Sequence, residues 1–285
     1  MFHVLRENPC PYLPGRLERK LMTRIEGEDA TEFYTLLSQS GFRRSHIFAY
    51  RPACQGCNAC VPVRVQVANF EPGRTQRRLM RLNEDLSVRE LPAIATEEHY
   101  RLFQGYVGTR HRDGEMADMR FEDYRGMVED THLDTRLSEY RLPSGALAAI
   151  CLTDWLEDGG SAVYSFFDPV LSQRSLGTWM ILDLIETARH RGLDHVYLGY
   201  WIDNAPKMAY KERFRPLEGL GPDGWRVSAP YRFARDPPEG PPVARPPEGS
   251  YSQDPQTSRR ARTAIVAKRR PPPTTRHEGH RGGHS

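Results

Sequence analysis

Apolar residues recur along this chain with two different periods, and the points where the period changes outline its elements. Over Thr31–Ser40, Phe33, Leu36 and Leu37 fall at helical spacing, and Gly41 follows as a residue that readily ends a helix. Ile47–Arg51 reads as a strand. Val61–Val67 alternates apolar with other residues, and Pro62 suits an edge or a strand entry. A helix is predicted around Arg74, Arg77, Arg78 and Arg81, whose i, i+3, i+4, i+7 spacing gathers four like charges on one face. Such a face is either solvated or set against phosphate. Thr96–Val107 reads as a helix with Tyr100, Phe103 and Val107 on one side. Strands follow at Thr135–Leu142 and Ala146–Asp154, joined by the turn Pro143-Ser144-Gly145. Another covers Ala162–Phe167, after Asp158-Gly159-Gly160 and before Asp168-Pro169. Leu176–His190 is predicted helical and is stopped by Gly192, and His195–Tyr200 is a last strand.

Three antiparallel strands, a loop, a helix and a further strand make an α+β order. That order is similar to the GNAT-type N-acetyltransferase superfamily, which implies a splayed strand pair admitting an acyl donor. Gln173-Arg174-Ser175-Leu176-Gly177-Thr178 resembles the phosphate loop of that superfamily, with Arg174 opening the pattern. Trp179 stands where a glycine or alanine is expected and hinders close backbone approach to a pyrophosphate. The division expected is a Cys-bearing N-terminal domain over residues 1–95, a GNAT-like catalytic domain over 96–235, and a disordered tail over 236–285. The tail is rich in Pro, Gly and Arg, runs through Lys268-Arg269-Arg270, and cannot bury enough apolar surface to offset its chain entropy. It reads as solvated chain or as an auxiliary electrostatic arm for RNA.

Charge sharpens this division. The net charge is +3 over 285 residues, with 14 basic against 10 acidic side chains in 1–95, 17 against 22 in 96–235, and 9 against 5 in 236–285. A basic first segment beside an acidic second one draws a polyanion such as RNA to the first. No apolar run approaches the about 20 residues of a membrane span, and the N-terminus lacks a signal-peptide core. No membrane partner is expected, and the default compartment is the cytoplasm.

Four of the five cysteines lie in the first sixty residues: Cys10, then Cys54, Cys57 and Cys60 at Cys-x-x-Cys-x-x-Cys spacing. In a chain without a secretion signal, such thiols are metal ligands or redox groups more often than disulfides. A four-thiolate site would take a structural zinc or an iron–sulfur cluster; packed or free thiols are the alternative. Cys151, inside the apolar run Leu147–Leu152, is a core residue.

Several strings resemble one family together. They are Cys10-Pro11-Tyr12-Leu13-Pro14-Gly15-Arg16, Gly41-Phe42-Arg43-Arg44-Ser45, Tyr50-Arg51-Pro52-Ala53-Cys54, and Arg110-His111-x-Asp113-Gly114. Further on come Tyr164-Ser165-Phe166-Phe167-Asp168-Pro169, Tyr197-Leu198-Gly199-Tyr200-Trp201, and Lys207-Met208-Ala209-Tyr210-Lys211-x-x-Phe214-x-Pro216-x-Glu218. They resemble the aminoacyl-tRNA–protein transferases, most closely the bacterial aspartate/glutamate leucyltransferase branch, from about residue 5 to about 235. The resemblance implies that leucine passes from leucyl-tRNA to proteins beginning with Asp or Glu and marks them for degradation. No cofactor is required, because the ester is already activated.

For that reaction the acceptor α-amine, with a reference pKa near 8, needs mainly positioning, an oxyanion donor and a proton route. Arg43, Arg44 and Arg51 are candidates for the acceptor carboxylate, or else structural ion pairs or RNA contacts. Arg110 and His111 are candidates for polar work at the cleft, and His111 could carry a proton. Asp168 would orient the aminoacyl group or initiate the Asp-Pro turn. Tyr200 would donate to the oxyanion and Trp201 would stack on the terminal adenine, with a core position as the alternative for both. Lys207, Tyr210 and Lys211, on one helical face, would contact the tRNA 3′ end. The rival readings are an arginyl-tRNA–protein transferase, a coenzyme A-dependent N-acyltransferase, and a non-enzymatic metal-dependent RNA-binding module.

Overall fold

The computed structural model of the chain describes residues 1–110, 112, 114–203 and 205–227. His111 and the expected tail lie outside the described residues. The chain opens with β1 (Phe2–Val4), β2 (Asn8–Pro9), β3 (Leu17–Glu18) and β4 (Lys20–Arg24), followed by α1 (Ala30–Gln39). Next come β5 (Arg43–Ser45), β6 (Phe48–Pro52), β7 (Val61–Gln66), α2 (Arg74–Leu82) and β8 (Ser87–Pro92). Two helices, α3 (Glu97–Arg110) and α4 (Phe121–Glu129), lead to β9 (Asp134–Arg141), β10 (Leu147–Trp155) and β11 (Gly159–Phe167). The long helix α5 (Leu176–His190) precedes β12 (His195–Trp201), and β13 (Leu217–Gly221) and β14 (Gly224–Val227) close the described part.

The mixed α+β architecture has two main sheets. One has four strands in the order β1-β4-β6-β5, and the other has eight in the order β14-β13-β7-β12-β11-β10-β9-β8. Among the described pairs only β11 and β12 run parallel, joined through α5. β10 is buried from Ala148 to Trp155, as a strand covered on both faces must be. On one face Ile150 and Leu152 meet Phe103 and Val107 of α3 and Tyr124 and Val128 of α4. On the other, Ala149 and Cys151 meet Leu176 and Met180 of α5.

The boundary expected at residue 95 is not a seam. β7 lies between β13 and β12, and β8 forms the far edge of the same eight-stranded sheet. The buried valines Val61, Val63 and Val65 bring β7 into the core beneath α5, so the first segment supplies a central strand of the second. The described residues up to 227 accordingly fall in one compact unit. α1 is where it was expected, but its buried face is Ala30, Tyr34 and Leu37, whereas Leu36 is exposed. The reason is that the four-stranded sheet and Leu133, Leu156 and Tyr197 of the larger layer cover that side of the helix.

The two layers are pinned together by Arg44 and Asp154. Arg44 Nε donates to Asp154 Oδ2 at 2.6 Å and Arg44 Nη2 to Asp154 Oδ1 at 2.9 Å, with Thr135 Oγ1 donating to the same carboxylate at 2.7 Å. Their side chains are 1% and 0% exposed. Removing one partner of such a pair leaves the other charged and buried, so Asp154→Ala is expected to destabilise by about 3–5 kcal/mol. Replacing both, R44M/D154L, should restore most of that loss. Urea denaturation of the wild type and the two variants measures both effects.

Candidate active site

β11 and β12 pair only from Gly159 opposite His195 to Ser161 opposite Tyr197, and then part toward their C-terminal ends. Each strand carries an extra residue where they separate. The register of β11 on β10 shifts around Val163, and that of β12 on β7 shifts around Leu198. Bulges of this kind bend strands and release backbone groups from the ladder. Ala162–Ser165 are accordingly partly solvent-exposed, although Ser161 and Phe166 on either side are buried.

Arg43 of β5 enters this gap. Its Nη2 donates to the Ala162 carbonyl at 3.1 Å and the Val163 carbonyl at 3.2 Å, replacing the strand partner those carbonyls lack. The guanidinium lies against Gly199, whose φ is +74°, and a Cβ there would stand 2.1 Å from Arg43 Nη1. Only glycine suits that position. Among the described residues Arg43 joins no ion pair, and its Nε and Nη1 donate to no acceptor. Tyr34, Tyr50, Tyr200 and Tyr210 lie within electrostatic range of it. The result is a cation whose Nε and Nη1 remain free to donate, able to meet a carboxylate through single charge-assisted contacts.

The other residues singled out in the sequence have different surroundings. Arg44 is held by Asp154, so it offers no cation to a ligand. Arg51 lies over the Phe42 ring at 5.3 Å and donates to the Ser40 carbonyl. Arg110, exposed at the end of α3, stands 5.7 Å from the Phe167 ring at the end of β11. Asp168 accepts from Val170 N–H at 3.0 Å, the Asp-Pro turn geometry. Arg174 is paired with Asp85 at 2.7 Å rather than left free for phosphate. Tyr200 donates to the Gly41 carbonyl at 2.9 Å, so its proton is engaged by backbone and not aimed at an oxyanion. Trp201 is not available for stacking: it alternates to the opposite face of β12 and is buried among Val61, Leu198 and Phe214. Lys207, Tyr210 and Lys211 do not share a helical face, because a short 3₁₀ helix, Ala209–Arg213, takes the place of the expected α-turn. Lys207 precedes it and is exposed, whereas Lys211 is buried and donates to the Tyr200 carbonyl.

Beside the gap, a cavity of about 390 Å³ is lined by Gly41, Arg51, Cys54, Cys57, Cys60 and Tyr200, among others. Burial pushes the Cys60 thiol up to about 12, helped by Cys10, Cys54 and Cys57, so these three lie within electrostatic reach of Cys60. Backbone N–H groups of Leu13 and Arg19 donate to Cys10 and Cys54 sulfur at 3.4 Å. As placed, however, no three His, Cys, Asp or Glu side chains among the described residues form a group that could hold a metal ion. Sequence reasoning missed the part played by Gly199 and by the bulges at Val163 and Leu198. A glycine inside the strand pattern Tyr197–Trp201 was the one available signal.

The bulged, parted strand pair thus holds an arginine that joins no ion pair among the described residues. Residues 8–78 match the family model described as arginine-tRNA-protein transferase, N terminus, and residues 98–221 the one described as its C terminus. The class is therefore the aminoacyl-tRNA–protein transferases. The aspartate/glutamate leucyltransferase of Paramagnetospirillum magneticum is 54% identical over 222 residues, covering 78% of this chain and 91% of that one. The protein of the same name from Parvibaculum lavamentivorans is 54% identical over 226 residues, covering 79% and 94%. Among solved structures, FemX aligns at 12% identity with a TM-score of 0.41, over 67% of this chain and 65% of that one. This chain belongs to the aspartate/glutamate leucyltransferase family. No helix among its described residues is long and apolar enough to cross a membrane.

Burial, and after it the charge of Arg43, hold Lys211 well below the usual lysine value near 10.5. Between the folded value and about 10.5 the unfolded chain binds a proton that the folded chain does not, so this site makes stability rise with pH. The stability of the wild type relative to Lys211→Met is therefore expected to increase from pH 7 to pH 10. Urea unfolding at the two pH values checks the sign.

Proposed function

We propose that this protein transfers leucine from leucyl-tRNA to the N-terminal Asp or Glu of acceptor proteins, giving them an N-terminal leucine that marks them for degradation. The observation that carries this reading is the 54% identity to a named aspartate/glutamate leucyltransferase across 91% of that protein's length. In the reaction the acceptor α-amine attacks the ester carbonyl carbon. The new C–N bond forms, the C–O bond to the tRNA 3′-ribose breaks, and the proton lost by the amine passes to the ribose oxygen. Proximity supplies much of the acceleration, because the ester is already activated and a neutral amine is accessible near pH 7.

We assign the acceptor's side-chain carboxylate to Arg43 and the aminoacyl ester to the gap between β11 and β12. The support is that Arg43 has spare donors and no acid partner, whereas Arg44 is consumed by Asp154. Arg110, exposed beside Phe167, and Lys207 are placed by this reading along the path of the tRNA 3′ end. The order β9-β10-β11-α5-β12 is read as a GNAT-like module, with a Cys-bearing N-terminal part docked on it. A coenzyme A donor fits less well, since Arg174 is engaged by Asp85 and Trp179 occupies the loop position that suits glycine. An RNA donor and reduced thiols suit the cytoplasm.

Labelled leucyl-tRNA and arginyl-tRNA, offered with peptides beginning Asp, Glu, Lys or Arg, test the reading. Transfer of leucine to the Asp and Glu peptides alone is expected, and no transfer from leucyl-tRNA would end it. Arg43→Ala is expected to lower kcat/KM for those peptides about 10–100-fold, the loss of one charge-assisted contact of about 1.5–3 kcal/mol. Zinc or an iron–sulfur cluster on Cys10, Cys54, Cys57 and Cys60 is proposed from the donor chemistry alone. Metal analysis of protein purified under reducing conditions is expected to find it, and full activity without metal would remove it.

A further inference from the structure

The arginine face of α2 is not absorbed by the site described above. We propose that Arg74, Arg77, Arg78 and Arg81 form the surface along which the sugar–phosphate backbone of the donor's acceptor stem lies. The proposal rests on the leucyl-tRNA reading.

Three observations carry it. First, all four side chains are exposed and α2 contains no acidic residue. Like charges at i, i+3 and i+4 repel, and a cation in the first turn opposes the helix dipole, so the arrangement works against the helix that carries it. Second, among the described residues none of the four joins an ion pair, and Arg77 alone donates to protein, at the Pro72 carbonyl. Some other arginines on the same body are matched by acids, Arg141 by Glu98, Arg174 by Asp85 and Arg191 by Glu90, whereas the exposed Arg101 and Arg125 join no ion pair among the described residues; α2 differs in gathering four such side chains on one helix face. The nearest acids in sequence, Glu71 and Glu84, lie outside the helix on either side.

Third, α2 spans the end of the sheet where the gap opens. Asn83 Nδ2 donates to the Arg174 carbonyl at 3.0 Å, and Arg174 donates to the Leu82 carbonyl at 3.3 Å, tying the helix end to the connection between β11 and α5. Gln76 Nε2 donates to the Arg213 carbonyl at 3.0 Å, tying its first turn to the connection that follows β12. Both connections leave the C-terminal ends of the parted strands. A nucleic acid whose 3′ end enters the gap therefore passes α2 with its double-stranded part. The inner side of α2 is already spent on the core, where Leu79 and Met80 pack, so it has no apolar face for a lipid surface.

The variant R74A/R78A/R81A tests this, because it removes three exposed side chains that make no hydrogen bond among the described residues. Binding of tRNA to wild-type protein is expected to weaken linearly in log salt. Each lost phosphate contact lowers that slope by roughly 0.7–0.9, so the variant's slope should be smaller by about 2–3 and its affinity at least about 10-fold weaker. Transfer from full-length leucyl-tRNA should fall through KM. Transfer from a short leucyl oligonucleotide carrying only the single-stranded 3′ end should be retained. An unchanged salt slope, an equal loss with both donors, or binding of this face to phosphatidylglycerol vesicles in place of tRNA would overturn the proposal. If wild-type protein uses neither donor, the leucyl-tRNA reading fails, while the salt slope with uncharged tRNA still decides whether α2 holds RNA.

Discussion

The guanidinium of Arg43 between two parted strands is the contact on which the site depends. Where β11 and β12 separate, the Ala162 and Val163 carbonyls lose their ladder partners, and unpaired buried backbone groups are unfavourable. Arg43 Nη2 satisfies both. In exchange, an arginine with no acid partner among the described residues is held inside the protein by backbone oxygens. It keeps donors for something else. Gly199 makes the arrangement sterically feasible, because any side chain there would collide with the guanidinium. One close approach thus sets the shape of the opening and its charge.

A second polar cluster fixes the surrounding layers. Arg64 of β7 donates to Glu218 of β13 at 2.6 Å and to the Tyr197 hydroxyl at 3.1 Å, and Tyr197 donates to Asp158 at 2.7 Å. Gln39 at the end of α1 reaches the same carboxylate at 3.0 Å. Burial raises Asp158, but His195 at 3.5 Å and the hydrogen bonds from Tyr197 and Gln39 outweigh it and hold the carboxyl below its ordinary value. The Arg64 guanidinium lies 4.3 Å from the Trp225 ring, and the Trp225 indole donates to the Gln39 carbonyl at 2.8 Å. With Arg44–Asp154, this network joins α1 and the N-terminal sheet to the large sheet. Arg43 therefore arrives at the gap from an element held in place by buried polar contacts.

Much of the fold was legible from periodicity. The strands around 135–167, the helix Leu176–His190 and the strand after it stand where alternation, turn residues and helical spacing put them, because both faces of those elements are paid in apolar burial. The short strands β1–β4 and β8, the helix Phe121–Glu129 and the pair β13–β14 were not legible, since their residues are largely polar or exposed. The site was legible only as a set of strings. Arg43 and Arg44 are adjacent and chemically identical, yet strand alternation sends one to the gap and the other to Asp154. Tyr200 and Trp201 likewise diverge, one to backbone carbonyls beside the thiol cavity and the other to the core beneath α5.

The sequence by itself determined the α+β class, the family, and the residue types the chemistry requires. These depend on local spacing and on side-chain chemistry, which travel with the chain. The tertiary structure alone decided that β7 crosses from the first segment into the middle of the large sheet. It also decided which arginine keeps a free charge and where the strands part. The first two depend on residues more than a hundred positions apart coming together, the third on strands whose paired residues lie 36 positions apart, and no local pattern encodes either.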